Sequence, residues 1–270
     1  MIRLTSAAAA ALLAASAAWA GTAWEDISSE LYAGRTLLDG SDVIAIDAPY
    51  RTPDDTRTDL AARIAAPAGK TVARVSVILD ENPMPVSAVF DLSRPLPRFA
   101  FGITMRVNGA TPLHVVAETT DGALYVAETF VKTSGTGACA APPGTDPELA
   151  LATLGDMEIG FDAAGGTGDL MGRIDALRTD DRRVDIDVSH PSHSGMQMDQ
   201  ISLLFIPMRY VERLEVDLDG ADFADLTGSI SLSENPSVSL SIPADTRSVD
   251  VTMTDTDGTV STAHADVAGF

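Results

Sequence analysis

One residue in this chain is a soft nucleophile. Cys139 is the only cysteine among 270 residues. It stands in Lys132-Thr-Ser-Gly-Thr-Gly-Ala-Cys-Ala-Ala-Pro-Pro-Gly144, with Gly135, Thr136, Gly137 and Ala138 before it and Ala140 and Ala141 after it. A lone cysteine is often a small buried hydrophobe, but no apolar period runs through residues 133–146 to bury this one. The segment therefore reads as a mobile arm displaying a thiol. Only the thiolate attacks, and its ordinary pKa is about 8.5. Nothing near in sequence lowers it, since Lys132 is seven residues away and the arm holds no histidine. Self-activation is not expected, so a partner must supply the base or metal. A group held on this sulfur would be a persulfide, a thiosulfonate or another sulfur adduct. Fully extended, Ser134 to Cys139 spans roughly 20 Å at about 3.3 Å per residue.

A second cluster is His190-Pro-Ser-His193-Ser-Gly-Met196-Gln-Met198. Imidazole and thioether ligands suit copper, Cu(I) above all, which makes His190, His193, Met196 and Met198 copper candidates. Their spacing fits no closed metal-site pattern, and the competing reading is a polar loop without metal. No bound metal or cofactor is expected. His114 alternates with apolar Leu113 and Val115 and reads as structural. No glycine-rich phosphate loop, serine–histidine–acid spacing or paired zinc motif occurs. No catalytic residue is assigned.

The chain that carries these residues is strongly acidic, with a formal net charge of −21. Such a charge repels phosphate backbones, so nucleic acid is not an expected partner. Solubility explains the charge, and so does steering toward a basic partner. Residues 1–20 read as a cleavable signal peptide: Arg3, an apolar run from Ala7 to Ala18, and Ala18-Trp19-Ala20 as the cleavage site. The run is too short for a membrane span, against the alternative of a retained anchor. Cleavage removes one positive charge, Arg3, taking −21 to −22. The expected location is the periplasm, with no membrane contact after cleavage. One cysteine in an exported chain allows no internal disulfide and leaves a thiol that is either reactive or available for a Cys139-linked dimer.

The positioning elements are expected to be strands. Residues 24–38 have Trp24, Ile27, Leu31 and Leu38 near helical spacing and read as a short N-terminal helix weakened at Gly34. Short strands are then expected at 43–46, 60–66, 72–79, 87–92, 100–107, 113–118 and 124–131. Asn108-Gly109 and Asp121-Gly122 give the strongest hairpin signals, and Pro53-Asp54-Asp55 is a further turn. This density of short strands suggests an immunoglobulin-like sandwich. A short helix over 145–154, with Asp146 as cap and Pro147 at its first position, precedes Gly165, Gly166 and Gly168. Strands resume at 171–177, 183–189, 201–205, 210–218, 229–232, 237–242, 249–254 and 260–265. The expected fold is all-β: two immunoglobulin-like β-sandwich domains joined by a flexible linker, with a short N-terminal helix. The boundaries are 1–20 signal peptide, 21–41 N-terminal helical segment, 42–133 first sandwich, 134–170 cysteine arm and linker, and 171–270 second sandwich.

Residues from about 42 to 141 resemble SoxY, the sulfur-compound carrier of bacterial sulfur-oxidation systems. The resemblance lies in Tyr125-Val-Ala-Glu-Thr-Phe-Val-Lys132 and in the small-residue arm around Cys139. Residues from about 171 to 267 resemble its partner SoxZ through His190-Pro191, Ser194-Gly195, Ile206-Pro207 with Tyr210-Val211, Ser233-Glu-Asn-Pro236, and Val251-Thr-Met-Thr-Asp255 with Asp257-Gly258. The fused order is similar to SoxYZ-like carriers associated with quinoprotein dehydrogenases. Two departures stand out. The family arm is Gly-Gly-Cys-Gly-Gly, whereas here it is Gly137-Ala138-Cys139-Ala140-Ala141, and it lies inside the chain instead of closing it.

The resemblance implies a non-catalytic covalent carrier with Cys139 as the attachment point and Gly135, Thr136, Gly137, Ala138, Ala140 and Ala141 as its arm. It also implies a SoxY-like/SoxZ-like interface within one chain. The implied partners are Sox-like enzymes or those of a quinoprotein dehydrogenase pathway. The alternative is an accessory docking module for a periplasmic quinoprotein dehydrogenase, with Cys139 incidental.

Overall fold

The computed structural model describes residues 22–135, 137–138, 147–162, 181–198 and 203–267. The expected signal peptide, Cys139 with Thr136, Ala140 and Ala141, the Asp146 cap, the 165–168 glycines and the strand at 171–177 lie outside the described residues.

Helix α1 spans Thr22–Tyr32 and carries Glu25 in its first turn, where the helix dipole favours an anion. It stops earlier than the 24–38 pattern suggests, because Ala33 (φ 46°) and Gly34 (φ 78°) turn the backbone left-handed. The end is tied by Arg35 N–H donating to the Tyr32 carbonyl at 2.8 Å.

From Thr36 onward the described chain forms one compact unit. Its first half supplies β1 (Leu37–Asp39), β2 (Ile44–Asp47), β3 (Thr58–Ala65), β4 (Val72–Leu79), β5 (Val86–Leu96), β6 (Arg98–Met105), β7 (Thr111–Thr119) and β8 (Leu124–Val131). A short helix α2 (Pro147–Ala152) follows. The second half supplies β9 (Met157–Asp162), β10 (Asp181–Val188), β11 (Val211–Leu218), β12 (Ala221–Gly228), β13 (Ser237–Pro243), β14 (Ser248–Asp255) and β15 (Val260–Asp266).

These strands make two sheets, each running through both halves. One has the order β1-β8-β7-β4-β5-β12-β11-β14-β15, the other β2-β3-β6-β13-β10-β9. The halves are thus sandwiches of immunoglobulin-like type that meet edge to edge. In one layer β5 pairs antiparallel with β12, setting Phe90 opposite Leu226 and Ala88 opposite Gly228. In the other, β6 pairs antiparallel with β13, setting Phe101 opposite Leu240. Pairing caps edges that each half alone would expose.

The core runs unbroken beneath the seam, from Ile64, Val75 and Val115 in the first half to Val184, Val216 and Val251 in the second. Period-two alternation places these side chains inward. At the seam, Phe90 from one layer meets Phe101 from the other with ring centroids 4.6 Å apart, and Phe99 stands edge-on to Phe90 at 5.8 Å.

Three strands escape the sequence pattern. β1 pairs in parallel with β8 through Leu37↔Leu124, although residues 37–38 fall in the expected helix. β9 falls inside the expected linker and pairs with β10 through Ile159↔Ile186. β12 takes the place of the expected strand at 229–232, which is instead a turn in which Leu232 N–H donates to the Ser229 carbonyl at 3.0 Å. Residues 203–205 of the expected 201–205 strand make only an isolated bridge, Met198↔Phe205.

The Ser229–Pro236 turn connects the two layers at the seam. Arg106 N–H donates to the Ser231 carbonyl at 2.7 Å. Asn82 Nδ2 donates to the Arg106 carbonyl and to Ser231 Oγ, both at 2.9 Å. The Arg106 side chain, 1% exposed, donates to the Leu232 carbonyl at 2.6 Å. Buried polar groups need such partners, and here they tie one half to the other.

Candidate functional site

The arm that leads to Cys139 leaves strand β8 at Val131 and at once runs beside residues 50–52. Lys132 N–H donates to the Tyr50 carbonyl and Thr52 N–H to the Lys132 carbonyl, both at 2.8 Å. The Arg51 guanidinium donates to the Thr133 carbonyl at 3.0 Å. These bonds carry the chain onto Asp55.

Asp55 is fully buried, and its carboxylate collects donors from two stretches far apart in the chain. The Thr52 hydroxyl donates to Oδ1. The Ser134 amide donates to the same oxygen at 2.5 Å. The amides of Gly135 and Gly137 donate to Oδ2, each at 3.1 Å. Gly135 (φ 97°) and Gly137 (φ 84°) hold left-handed conformations that L side chains rarely adopt. Successive amides can then face a single anion, as in backbone nests. Burial by itself raises the Asp55 carboxyl. The Thr52 hydroxyl and the Ser134 and Gly137 amides outweigh it, holding the group far below the usual carboxylate range. Asp55 is therefore ionised and satisfied.

This corrects the expectation of a mobile arm beginning at residue 134. Ser134, Gly135 and Gly137 are bonded to the sandwich, and Ala138 is 2% exposed. The absence of an apolar period excludes a hydrophobic anchor but says nothing about backbone amides bonded to a distant carboxylate.

The turn that carries Asp55 also reaches the second half. Arg57 Nη1 donates to the carbonyls of Asn235 at 2.6 Å and Glu234 at 2.9 Å. The turn is stiffened by Asp54, whose side chain accepts the Thr56 amide at 2.8 Å and whose carbonyl accepts the Thr58 hydroxyl at 2.9 Å. A cleft of about 570 Å³ lies beside Arg57, with Asp156, Glu158, Asp187 and Glu234 among its lining residues. Four carboxylates against one guanidinium disfavour an anionic sulfur species there.

Family comparison assigns both halves. The model of the sulfur oxidation protein SoxY matches residues 28–139, and that of the sulphur oxidation protein SoxZ matches residues 174–266. The chain is a fused SoxYZ-like protein. The SoxY match ends on Cys139 itself. Among solved structures, the sulfur carrier protein SoxY from Chlorobium limicola f thiosulfatophilum is 23% identical with a TM-score of 0.37, covering 43% of this chain and 95% of its own. A superoxide reductase (neelaredoxin) from Ignicoccus hospitalis is 13% identical with a TM-score of 0.28, covering 34% of this chain and 80% of its own. At these scores neither likeness bears on function. No curated protein matches the chain.

The SoxZ half places its recurring residues at the seam. In the Ser233-Glu-Asn-Pro236 segment, Ser233 Oγ lies 2.7 Å from Thr104 Oγ1, Glu234 and Asn235 receive Arg57, and Asn235 Oδ1 accepts the His190 amide at 3.0 Å. His190 is 1% exposed. Its Nδ1 accepts the Ser192 amide at 2.9 Å, which leaves Nε2 to carry the proton, 3.4 Å from Asp255 Oδ2. Burial pushes His190 down to about 4, against the upward pull of Asp255. Both ring nitrogens thus have protein partners, and copper binding at His190 would break them. His193 Nδ1 lies 3.0 Å from Gln197 Oε1, while Met196 and Met198 are exposed. Among the described residues no group of three His, Cys, Asp or Glu side chains is arranged to hold a metal ion. His114 is buried between Asp80, at 3.0 Å, and Glu128, at 3.4 Å.

Thr52, Asp55 and Arg57 are the residues that sequence reasoning passes over. The Pro53-Asp54-Asp55 turn is legible, but the partners of these residues lie about 80 and 180 positions away in the chain.

Proposed function

We propose that the protein is a covalent carrier that bears a sulfur-containing intermediate on Cys139 and presents it to partner enzymes. The observation that carries this reading is the joint match to SoxY and SoxZ families in one chain, with the SoxY match ending on the chain's single cysteine. The carrier is not itself a catalyst. Joining a thiol to a second sulfur removes two electrons, and the loading enzyme accepts them. The signal-like residues 1–20 support a periplasmic location, where the partners are Sox-like enzymes. The same unpaired thiol supports a Cys139-linked dimer, which reducing gels would convert to monomer.

The test is Cys139→Ser in the host. Sulfur-compound oxidation that depends on this protein should stop, with the variant still folded and exported. Unchanged oxidation would refute the carrier role.

A second reading is an accessory docking module for a quinoprotein dehydrogenase. It draws on the SoxZ half, where Leu203, Leu204 and Phe205 are each about two-thirds exposed, more apolar surface than one short segment usually shows. Under that reading Cys139→Ser has no effect, while Leu204→Ser with Phe205→Ser abolishes function.

A further inference from the structure

We propose that Asp55 is the positioning residue of the Cys139 arm: its buried carboxylate holds the amides of Ser134, Gly135 and Gly137 and so fixes where the cysteine leaves the sandwich. The inference deepens the carrier reading and rests on it for its purpose. The anchor itself is a matter of geometry.

Three features make Asp55 an anchor for the arm rather than a residue of the core. Its described backbone donors, Ser134, Gly135 and Gly137, all belong to the arm. Its side-chain donor Thr52 is 2% exposed and also lies 3.1 Å from the Ser134 amide, so it belongs to the same cluster, and the Ser134 side chain bonds the carboxylate as well. The two glycines adopt positive φ where they donate, so the arm's glycines serve the anchor as well as any motion. Hydrogen bonds to an ionised acceptor are the stronger kind, and here the acceptor is buried while the arm's donor residues lie at the surface.

The anchor changes what the arm can do. With Ser134, Gly135 and Gly137 held, the roughly 20 Å reach of a free arm shrinks. Ala138 and Cys139 together extend only about 7 Å. A partner enzyme must therefore approach the sandwich closely, with Cys139 offered from a fixed exit. Carrier arms gain precision from such a root, because fewer conformers compete with the productive one.

The experiment uses the full chain, in which Cys139 takes a single nitroxide label. Spin-label spectra are recorded for the native sequence, Asp55→Asn and Thr52→Val, and amide exchange is followed at Ser134, Gly135 and Gly137. Asparagine keeps the size but turns an NH2 group toward the donors. Asp55→Asn should narrow the label's spectrum and speed exchange of the three amides at least about tenfold, with amides of β11 and β14 unchanged. Thr52→Val should act in the same direction but less.

An Asp55→Asn protein with unchanged label motion and exchange overturns the proposal. So does one that loosens β11 and β14 equally, which would make Asp55 a general structural residue. If Asp55→Asn fails to fold, the native chain decides: unprotected amides at Ser134, Gly135 and Gly137 overturn the anchor, and protected ones lost in Thr52→Val sustain it. None of these readouts depends on a sulfur adduct, so failure of the carrier reading is seen separately.

Discussion

Asp55 and Arg57 stand two residues apart in one turn and hold different parts of the molecule: Asp55 the amides that lead to Cys139, Arg57 the carbonyls of Glu234 and Asn235 in the SoxZ half. The root of the arm and the junction between halves thus share one short stretch of backbone. Loss of either side chain should have a separable effect.

Arg57→Ala removes charge-assisted bonds to two carbonyls at an exposed position. It should cost about 1–2 kcal/mol of stability, toward the low end because solvent competes for the site. Thermal or denaturant unfolding of the full chain measures this. A Cys139 label should keep its native motion in this variant, since the Asp55 contacts remain.

Gly228 closes β12 at the seam, where an added Cβ would sit 2.4 Å from the Val211 carbonyl oxygen and 2.5 Å from Leu232 Cδ1. One neighbour is backbone and cannot turn aside. Gly228→Ala should therefore destabilise the protein by about 1–3 kcal/mol, read as a lowered unfolding midpoint. A neutral substitution would mean that β11 and β12 separate easily.

Both sheets cross between the halves, so the peptide connection should be dispensable once the protein has folded. A protease site placed between Gly144 and Asp146 and cut in the native protein should yield two fragments that co-elute as one species on size exclusion. Free fragments under native conditions would contradict pairing of β5 with β12 and of β6 with β13.

His190 sets an acid limit. Its folded pKa, about 4, lies below its ordinary value of 6.5, so the folded state binds fewer protons than the unfolded state between those values. Stability is complete above about pH 6.5 and falls as the pH drops toward 4, by on the order of 3 kcal/mol in all. His190→Gln should flatten that slope in urea melts taken across the range. Asp55, also depressed, acts lower: its contribution is present above the ordinary carboxylate value and is lost only in stronger acid.

Much of this architecture is legible as alternation. Val72–Leu79 and Leu124–Val131 are strands with those same bounds in sequence and structure, because each is a dense run of β-branched or aromatic residues between turn signals. β12 hides because Ala221-Asp-Phe-Ala-Asp-Leu-Thr-Gly228 carries aspartates on its outer side and buries only Phe223, Ala224 and Leu226 as apolar groups. β9 hides for a different reason: Met157, Ile159 and Phe161 alternate plainly, but a glycine-rich stretch follows and suggests a linker. The continuity of the sheets across the halves has no local signal, since edge pairing depends on backbone groups rather than side-chain types. Cys139 stands out in the sequence by its uniqueness and its neighbours, which make it a candidate. Asp55 does not, because its role arises only when folding brings Ser134, Gly135 and Gly137 to it.

The central claim is that Cys139 carries sulfur, and the mass of its peptide tests this most directly. Protein isolated from cells oxidising a reduced sulfur compound, and handled without reductant, should show the Cys139 peptide enlarged by sulfur-containing mass. The added mass should disappear on treatment with a thiol reductant, leaving the bare peptide. A free, unmodified Cys139 thiol throughout active sulfur oxidation would contradict the account.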